Sequence, residues 1–162
     1  MCIRDSDTPG VMLSSAAKEY MKVYGVLVGK KPLIFTNNDS GYETAIEFKK
    51  NGVNPLILDT RKEPSSDIIN EAKNLGIEIK FSYVVVAAKG YKKVKSADIA
   101  KISDNKKDLS NIENIECDCI CVSGFWTPSI HLASQSGNKS EFNEKIDAVS
   151  YTHLRAHETL RY

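Results

Sequence analysis

The chain of 162 residues has no apolar run near the roughly 18 residues that a membrane-spanning helix needs. Its opening, Met1 to Ser6, lacks the apolar core of a secretory signal. The expected compartment is therefore the cytoplasm, with no membrane partner. Charge of one sign is also missing, since 22 Lys and Arg stand against 21 Asp and Glu. Nothing in that balance grips a nucleic-acid backbone, so no nucleic-acid partner is expected. Cysteine is scarce, and three of the four residues sit together at 117, 119 and 121, which argues against a secreted disulfide scaffold. What is present, 41% apolar and 27% charged residues, suits one globular domain at most and excludes collagen-like and strongly charged disordered chains.

The two ends stand apart from the rest. MCIRDS (residues 1–6) and VSYTHLRAHETLRY (residues 149–162) resemble translated sequencing adapter, and foreign segments are set aside before fold reasoning. Removing them takes out Arg4, Arg155, Arg161, Asp5 and Glu158 and leaves 19 bases against 19 acids. The remaining stretch, Asp7 to Ala148, is expected to be an internal fragment of a longer protein, marginal on its own and with apolar surface exposed.

Along that stretch, Thr8-Pro9 opens a helix whose face carries Leu13, Ala16, Ala17, Tyr20, Met21 and Tyr24, stopped by Gly25. Leu33-Ile34-Phe35 is a short uniformly apolar run, as a strand buried on both faces requires. A helix over Gly41 to Lys50 ends at Asn51-Gly52, and Pro55 to Leu58 forms the next strand, closing on Asp59. Pro64-Ser65-Ser66-Asp67 starts a third helix with Ile69, Ala72 and Leu75 inside and Gly76 as its stop. From Ile77 the period shortens to two, through Phe81 and Val84 to Val86, predicting an antiparallel meander with a turn at Lys89-Gly90. The lysine-rich stretch Lys92 to Lys107 is expected to be solvated hairpin and loop. Cys117 to Val122 predicts another buried strand ending at Ser123-Gly124.

This pattern predicts an α/β, Rossmann-like nucleotide-binding subdomain: a parallel sheet with flanking helices plus an antiparallel β-meander. The expected organisation is a linking helix over 7–30, the subdomain over 31–124, and a crossover over 125–148 toward a missing neighbouring domain. In such a fold a glycine-rich turn brings backbone amides against pyrophosphate, and an acid at the end of the second strand takes a ribose diol. Here the turn is Thr36-Asn37-Asn38-Asp39-Ser40-Gly41, in which only the third glycine of the motif stands, as Gly41. Asp59 follows 23 residues after Thr36, near the expected spacing of about 20. Two readings stay open. In one, Gly41 permits close helix packing and Asp59 binds the ribose of NAD. In the other, the layer has lost its ligand, because Thr36 and Asn38 put side chains, and Asp39 a negative charge, where phosphate would lie. Arg61 suits a 2′-phosphate, but the acid at 59 favours NAD over NADP.

The cysteines at 117, 119 and 121 share one face of a strand at that spacing, and small buried hydrophobes are their expected role rather than a zinc site. His131 has no triad partner pattern, and Trp126 suits either a core or a ligand pocket.

Three blocks carry a resemblance: DTPGVMLSSAAKEYMKVYGV, PLIFTNNDSGYETAIEF and ECDCICVSGFWTPSIHLASQSGNK. The stretch Asp7 to Ala148 resembles the alpha subunit of heterotetrameric sarcosine oxidase, most specifically over Phe35 to Ala45 and Val122 to Lys139. It departs at Gly124-Phe125-Trp126, where that family has two glycines before the tryptophan, and at Thr127, where it has asparagine. The resemblance implies a fold like that of two-dinucleotide-binding-domain flavoproteins, here incomplete. It implies a complex with beta, gamma and delta subunits that oxidises sarcosine with oxygen to glycine and hydrogen peroxide and passes the one-carbon unit to tetrahydrofolate. The parent complex would hold FAD and FMN, and its alpha subunit NAD and folate. By position, Thr36, Asn37, Asn38, Asp39, Ser40, Gly41 and Asp59 match the dinucleotide turn and ribose acid, and Gly124 the strand end near the cofactor. No catalytic residue carries over, so the fragment alone is expected to be inactive. Opine oxidases and cyanide-forming glycine dehydrogenases have related alpha-like chains, which leaves the substrate open.

Overall fold

The computed structural model describes residues 8–102, 109–124, 135, 141–143 and 148–150. Trp126, Thr127, His131 and the terminal stretches before Thr8 and after Ser150 lie outside the described residues. The chain divides into two compact units, 1–124 and 125–162. Among the described residues no helix is long and apolar enough to cross a membrane.

In the first unit the elements run β1 (Val11–Leu13), α1 (Ser14–Tyr24), β2 (Pro32–Thr36), α2 (Ser40–Lys50), β3 (Leu56–Asp59), α3 (Asp67–Asn74), β4 (Glu78–Phe81), β5 (Tyr83–Lys89), β6 (Ser96–Ile102), β7 (Leu109–Glu116) and β8 (Cys119–Ser123). Five strands form a parallel sheet in the order β1-β8-β2-β3-β4, and β5-β6-β7 form an antiparallel meander. This is the α/β architecture expected from the residue pattern. In the second unit β9 (Glu141–Asn143) and β10 (Ala148–Ser150) pair antiparallel, with Val149 opposite Phe142.

Strict alternation along the strands explains the layers. On one face Ile34, Ile57, Cys119 and Cys121 pack with Ala17 and Met21 of α1, Tyr42, Ala45 and Phe48 of α2, and Ile69 and Ala72 of α3. On the other, Leu33, Leu58 and Ile120 pack with Val85, Val94, Ala97 and Ile99 of the meander and its connections. A sheet covered on both faces needs apolar residues at successive positions, which is why these strands read as unbroken apolar runs. Each isoleucine or leucine so buried contributes about 1.5–3 kcal/mol.

Several local expectations are corrected. The first helix begins at Ser14, not at Thr8-Pro9, because Pro9 O and Gly10 O accept bonds from Val94 N (2.9 Å) and Ile120 N (2.8 Å), which holds that segment extended. Gly10 sits at φ 112°, and Val11–Leu13 then pair with β8. The buried face of α1 is accordingly Ser14, Ala17 and Met21, while Leu13, Tyr20, Val23 and Tyr24 are exposed. The meander begins at Tyr83, since Glu78–Phe81 pair in parallel with β3 and Ser82 turns the chain at φ 60°. Within the lysine-rich stretch, Ser96–Ile102 is the central strand of the meander, with Ala97, Ile99 and Ala100 buried. Lys95 and Lys101 are exposed on either side of the buried Ala97, Ile99 and Ala100, so net polarity concealed a strand period. Finally, Cys117 faces the meander and not the helices. The Asp118 carboxylate accepts from Lys30 N (2.7 Å) and Lys31 N (2.8 Å), which interrupts the alternation between Cys117 and Cys119. All three thiols are buried and free.

Candidate functional site

The sheet order places a switch point between β2 and β8: from β2 the chain moves outward through β3 and β4, and it returns to β8 on the other side. Ligands of open α/β sheets gather outside the carboxyl ends of strands at such a point. Register brings Thr36 opposite both Asp59 on β3 and Ser123 on β8, so the expected turn, acid and strand end meet at one edge. Backbone bonds extend the pairing past the strands, from Thr60 N to Thr36 O (3.1 Å) and from Asn37 N to Ser123 O (3.4 Å).

Gly41 lies where α2 presses on β2. A Cβ there would meet Thr36 Cβ at 2.6 Å and Thr36 Oγ1 at 2.7 Å, so only glycine permits this approach. Gly124 is different, because an added Cβ would meet nothing within 4 Å. Thr36 and Asn38, standing where glycines would be, turn their side chains inward. The Thr36 hydroxyl donates to Asn38 O (2.7 Å) and accepts from Asn38 N (3.2 Å). Asn38 Nδ2 donates to Gly124 O at 2.5 Å. Asn38 Oδ1 accepts from Ser40 N (3.1 Å), Ser40 Oγ (2.6 Å) and Ser123 Oγ (3.1 Å). The two serine hydroxyls are themselves 2.6 Å apart. A polar net thus stitches the turn to the end of β8 across the switch point.

At the end of β3 the Asp59 carboxylate is fully buried and accepts from four donors. Arg61 supplies its backbone N–H (2.9 Å), Nε (3.1 Å to Oδ1) and Nη2 (2.8 Å to Oδ2), and Tyr42 supplies its hydroxyl (2.7 Å). Arg61 Nη1 also lies 2.8 Å from Asp39 Oδ1, so one guanidinium joins the turn to the strand. Arg61, the residue suited to a 2′-phosphate, and Asp39, the negative charge where phosphate would lie, thus face each other, with Arg61 shared between two carboxylates. Arg61 O accepts from Ser82 N at 3.1 Å, which anchors this loop to the β4–β5 junction. The Asp59 bonds hold the Arg61 guanidinium well above the ordinary arginine range, with burial opposing and Asp39 reinforcing. Burial first, then the Asp59 bond, pushes the Tyr42 phenol far above its usual 10.0. Both groups are therefore locked in one protonation state near neutrality, and neither serves as a proton carrier.

Tyr42 and Arg61 were not read from the sequence as partners of Asp59. The i, i+2 spacing of Asp59 and Arg61 was the available signal for the second; nothing local marked the first, which arrives from α2. Among the described residues no group of three or more His, Cys, Asp or Glu is placed to hold a metal ion. Among the described residues, surface clefts of about 180 and 200 Å³ lie elsewhere, one by Asn54 and Cys117 and one between the faces of α1, α2 and α3.

A bound NAD would use free turn amides, a pyrophosphate space without side chains, and an acid open to the ribose. The tight Gly41 approach that such a site also needs is present, but the space and the acid are taken. The Ser40 amide already has a partner, Asn38 spans the switch point, and the Asp59 carboxylate is saturated. As arranged, these residues do not fit the dinucleotide.

No family model matches the chain. It is similar to proteins named sarcosine oxidase subunit alpha: one from Rhizobium meliloti, 33% identical over 135 residues and 83% of this chain, and one from a Corynebacterium species, 29% identical over 157 residues and 93% of this chain. The chain spans 12% and 16% of the length of these two relatives. In fold it is similar to thioredoxin reductase of T. acidophilum, with TM-score 0.64 at 18% identity over 83% of this chain and 41% of that one. It is also similar to the bacillithiol disulfide reductase Bdr of Staphylococcus aureus, with TM-score 0.58 at 15% identity, covering 78% and 38%.

Proposed function

We propose that this chain is a segment of the alpha subunit of a sarcosine oxidase-type flavoenzyme complex, serving there as a packing module with a nucleotide-type fold. The observation that carries the assignment is the 33% identity to a named alpha subunit over 83% of the chain. In this reading the parent complex, with beta, gamma and delta subunits in the cytoplasm, oxidises sarcosine to glycine with formation of hydrogen peroxide and delivers the one-carbon unit to tetrahydrofolate. FAD, FMN, NAD and the folate site lie outside this segment, which holds no catalytic residue and is inactive alone. The segment's contribution is mechanical: a sheet packed on both faces, with its switch-point edge tied by side chains. The intact parent, expressed with its partner subunits, is expected to consume oxygen with sarcosine. No consumption with sarcosine or any related N-methyl or N-alkyl amino acid would end this reading. Turnover of an opine or of glycine instead would move the chain to the opine oxidases or the cyanide-forming glycine dehydrogenases.

A second reading keeps Thr36, Asn37, Asn38, Asp39, Ser40, Gly41, Asp59 and Gly124 as NAD contacts. It is favoured by the Gly41 approach and by the register of Asp59 with Thr36. It requires Arg61 and Asn38 to swing away when the nucleotide enters. Loss of NAD binding by the parent on Asp59→Ala would support it over the packing role.

A further inference from the structure

We infer that the nucleotide edge of this fold is closed by two internal substitutes, Arg61 in place of the ribose diol and the Asn38 side chain in place of pyrophosphate, and that removing both reopens it to an ADP-type nucleotide. The inference rests on the fold and its hydrogen bonds and not on the identity of the parent. A ribose diol offers a buried carboxylate two hydrogen-bond donors. Arg61 presents the same demand to Asp59 from its own chain, through Nε at 3.1 Å and Nη2 at 2.8 Å. It adds a positive charge, so the internal partner is the stronger one. Its third nitrogen, Nη1, reaches Asp39, the acid in the turn that would otherwise repel phosphate. A single side chain thereby fills the ribose position and ties down the turn.

At the switch point the substitution is one of dipoles. Pyrophosphate would accept bonds from amides at the start of α2. Asn38 Oδ1 accepts from Ser40 N, Ser40 Oγ and Ser123 Oγ instead, while its Nδ2 is spent on Gly124 O. Every polar atom of the Asn38 amide therefore has a partner within the chain. The frame beneath is intact: Gly41 keeps α2 against β2, and Tyr42 holds Asp59 from the helix side. The site is thus built to the shape of a nucleotide edge, and its ligand positions are taken by its own side chains.

The test is calorimetric titration of the 162-residue chain with ADP-ribose and with NAD, alongside an opened variant carrying Asn38→Gly, Asp39→Asn and Arg61→Gln, and the same variant with Asp59→Asn added. Asp39→Asn removes the turn charge that Arg61 otherwise neutralises, Arg61→Gln leaves a shorter, uncharged polar side chain, and circular dichroism establishes that each variant is folded. The unaltered chain is expected to give no heat at millimolar ligand. The opened variant should bind at least about tenfold more tightly, the effect of one recovered charge-assisted bond, and Asp59→Asn should abolish the gain. Should the opened variant fail to fold, Asn38→Ala replaces Asn38→Gly in it, with the same gain expected. Tight NAD binding by the unaltered chain would overturn the inference. So would a folded opened variant that binds no more tightly than the unaltered chain, or a gain that survives Asp59→Asn. None of these outcomes bears on whether the parent complex oxidises sarcosine, so the two proposals fail separately.

Discussion

Replacing Gly41 by alanine should separate α2 from β2, and the cost can be worked from the contact. The new Cβ would stand 2.6 Å from Thr36 Cβ and 2.7 Å from Thr36 Oγ1, about 1 Å inside the usual carbon separation. Thr36 cannot yield by rotating, because it is buried, β-branched and bonded through its hydroxyl to both backbone polar groups of Asn38. Overpacking of this kind costs about 3 kcal/mol, the upper end of the usual range. Exchanging a helical glycine for alanine returns at most about 1 kcal/mol, so a net loss of about 2 kcal/mol is expected. In urea, with m near 1.5 kcal/mol per molar, the unfolding midpoint should fall by about 1.3 M. Gly124→Ala is the control: with nothing within 4 Å of the added carbon, its effect should stay within about 0.5 kcal/mol. A second control removes the other half of the clash. In a Thr36→Gly background the Gly41→Ala penalty should shrink by about 1 kcal/mol or more, as expected for residues in direct contact. Equal midpoints for Gly41→Ala and Gly124→Ala would show that helix and strand do not meet as closely as stated, and the reasoning about the third motif glycine would fail with them.

Asp59→Ala removes the buried anion that Arg61 and Tyr42 serve, and with Arg61 still partly exposed the loss should be about 2–3 kcal/mol, below the full value for a buried pair. An unfolding midpoint unchanged from wild type would show that the clasp contributes nothing. Tyr42 supplies a pH dependence of known sign. Its folded-state pKa lies above the ordinary 10.0, so its neutral form stabilises the fold below about pH 10 and that stability is lost as pH rises further. Denaturant midpoints should fall above pH 10, absorbance at 295 nm should reveal a tyrosine that ionises only on unfolding, and Tyr42→Phe should remove that component. In a Cys2→Ser background, Cys117, Cys119 and Cys121 should resist a thiol reagent until the chain unfolds. Burial pushes the Cys117 thiol up to about 11, and the thiol–thiol hydrogen bond with Cys119 (3.6 Å), together with burial, raises Cys121 well above the usual range. Rapid labelling of any of the three under native conditions would contradict the packing described.

Much of the central frame was legible in the residue order. Leu33 to Phe35 and Pro55 to Leu58 are apolar runs because their sheet is covered on both sides, and Gly52 and Gly76 end helices α2 and α3 with positive φ, as their positions suggested. The misreadings fall where a partner distant in sequence decides the conformation. Val11–Leu13 has a helix-compatible pattern and becomes a strand because β8 lies beside it. Glu78–Phe81 alternates as a meander strand would, and parallel pairing with β3 alone distinguishes the two outcomes. Ser96–Ile102 is masked by neighbouring lysines that tolerate an exposed strand face.

At the candidate site, the residue order by itself determined the strand–helix–strand frame, the tight glycine at 41 and the acid at 59. These follow from local chain geometry and from a spacing that one strand–helix–strand unit must satisfy. Tertiary structure alone decided what those groups do. Asp59 is served by Arg61 across a turn and by Tyr42 from α2, and Asn38 reaches Gly124, just past the end of β8 and 86 positions away. Hydrogen-bond partners are chosen by distance in space, and a buried carboxylate or amide takes whichever donors the fold delivers. The same motif letters therefore describe either an open nucleotide edge or a closed one, and the side chains brought against them make the difference.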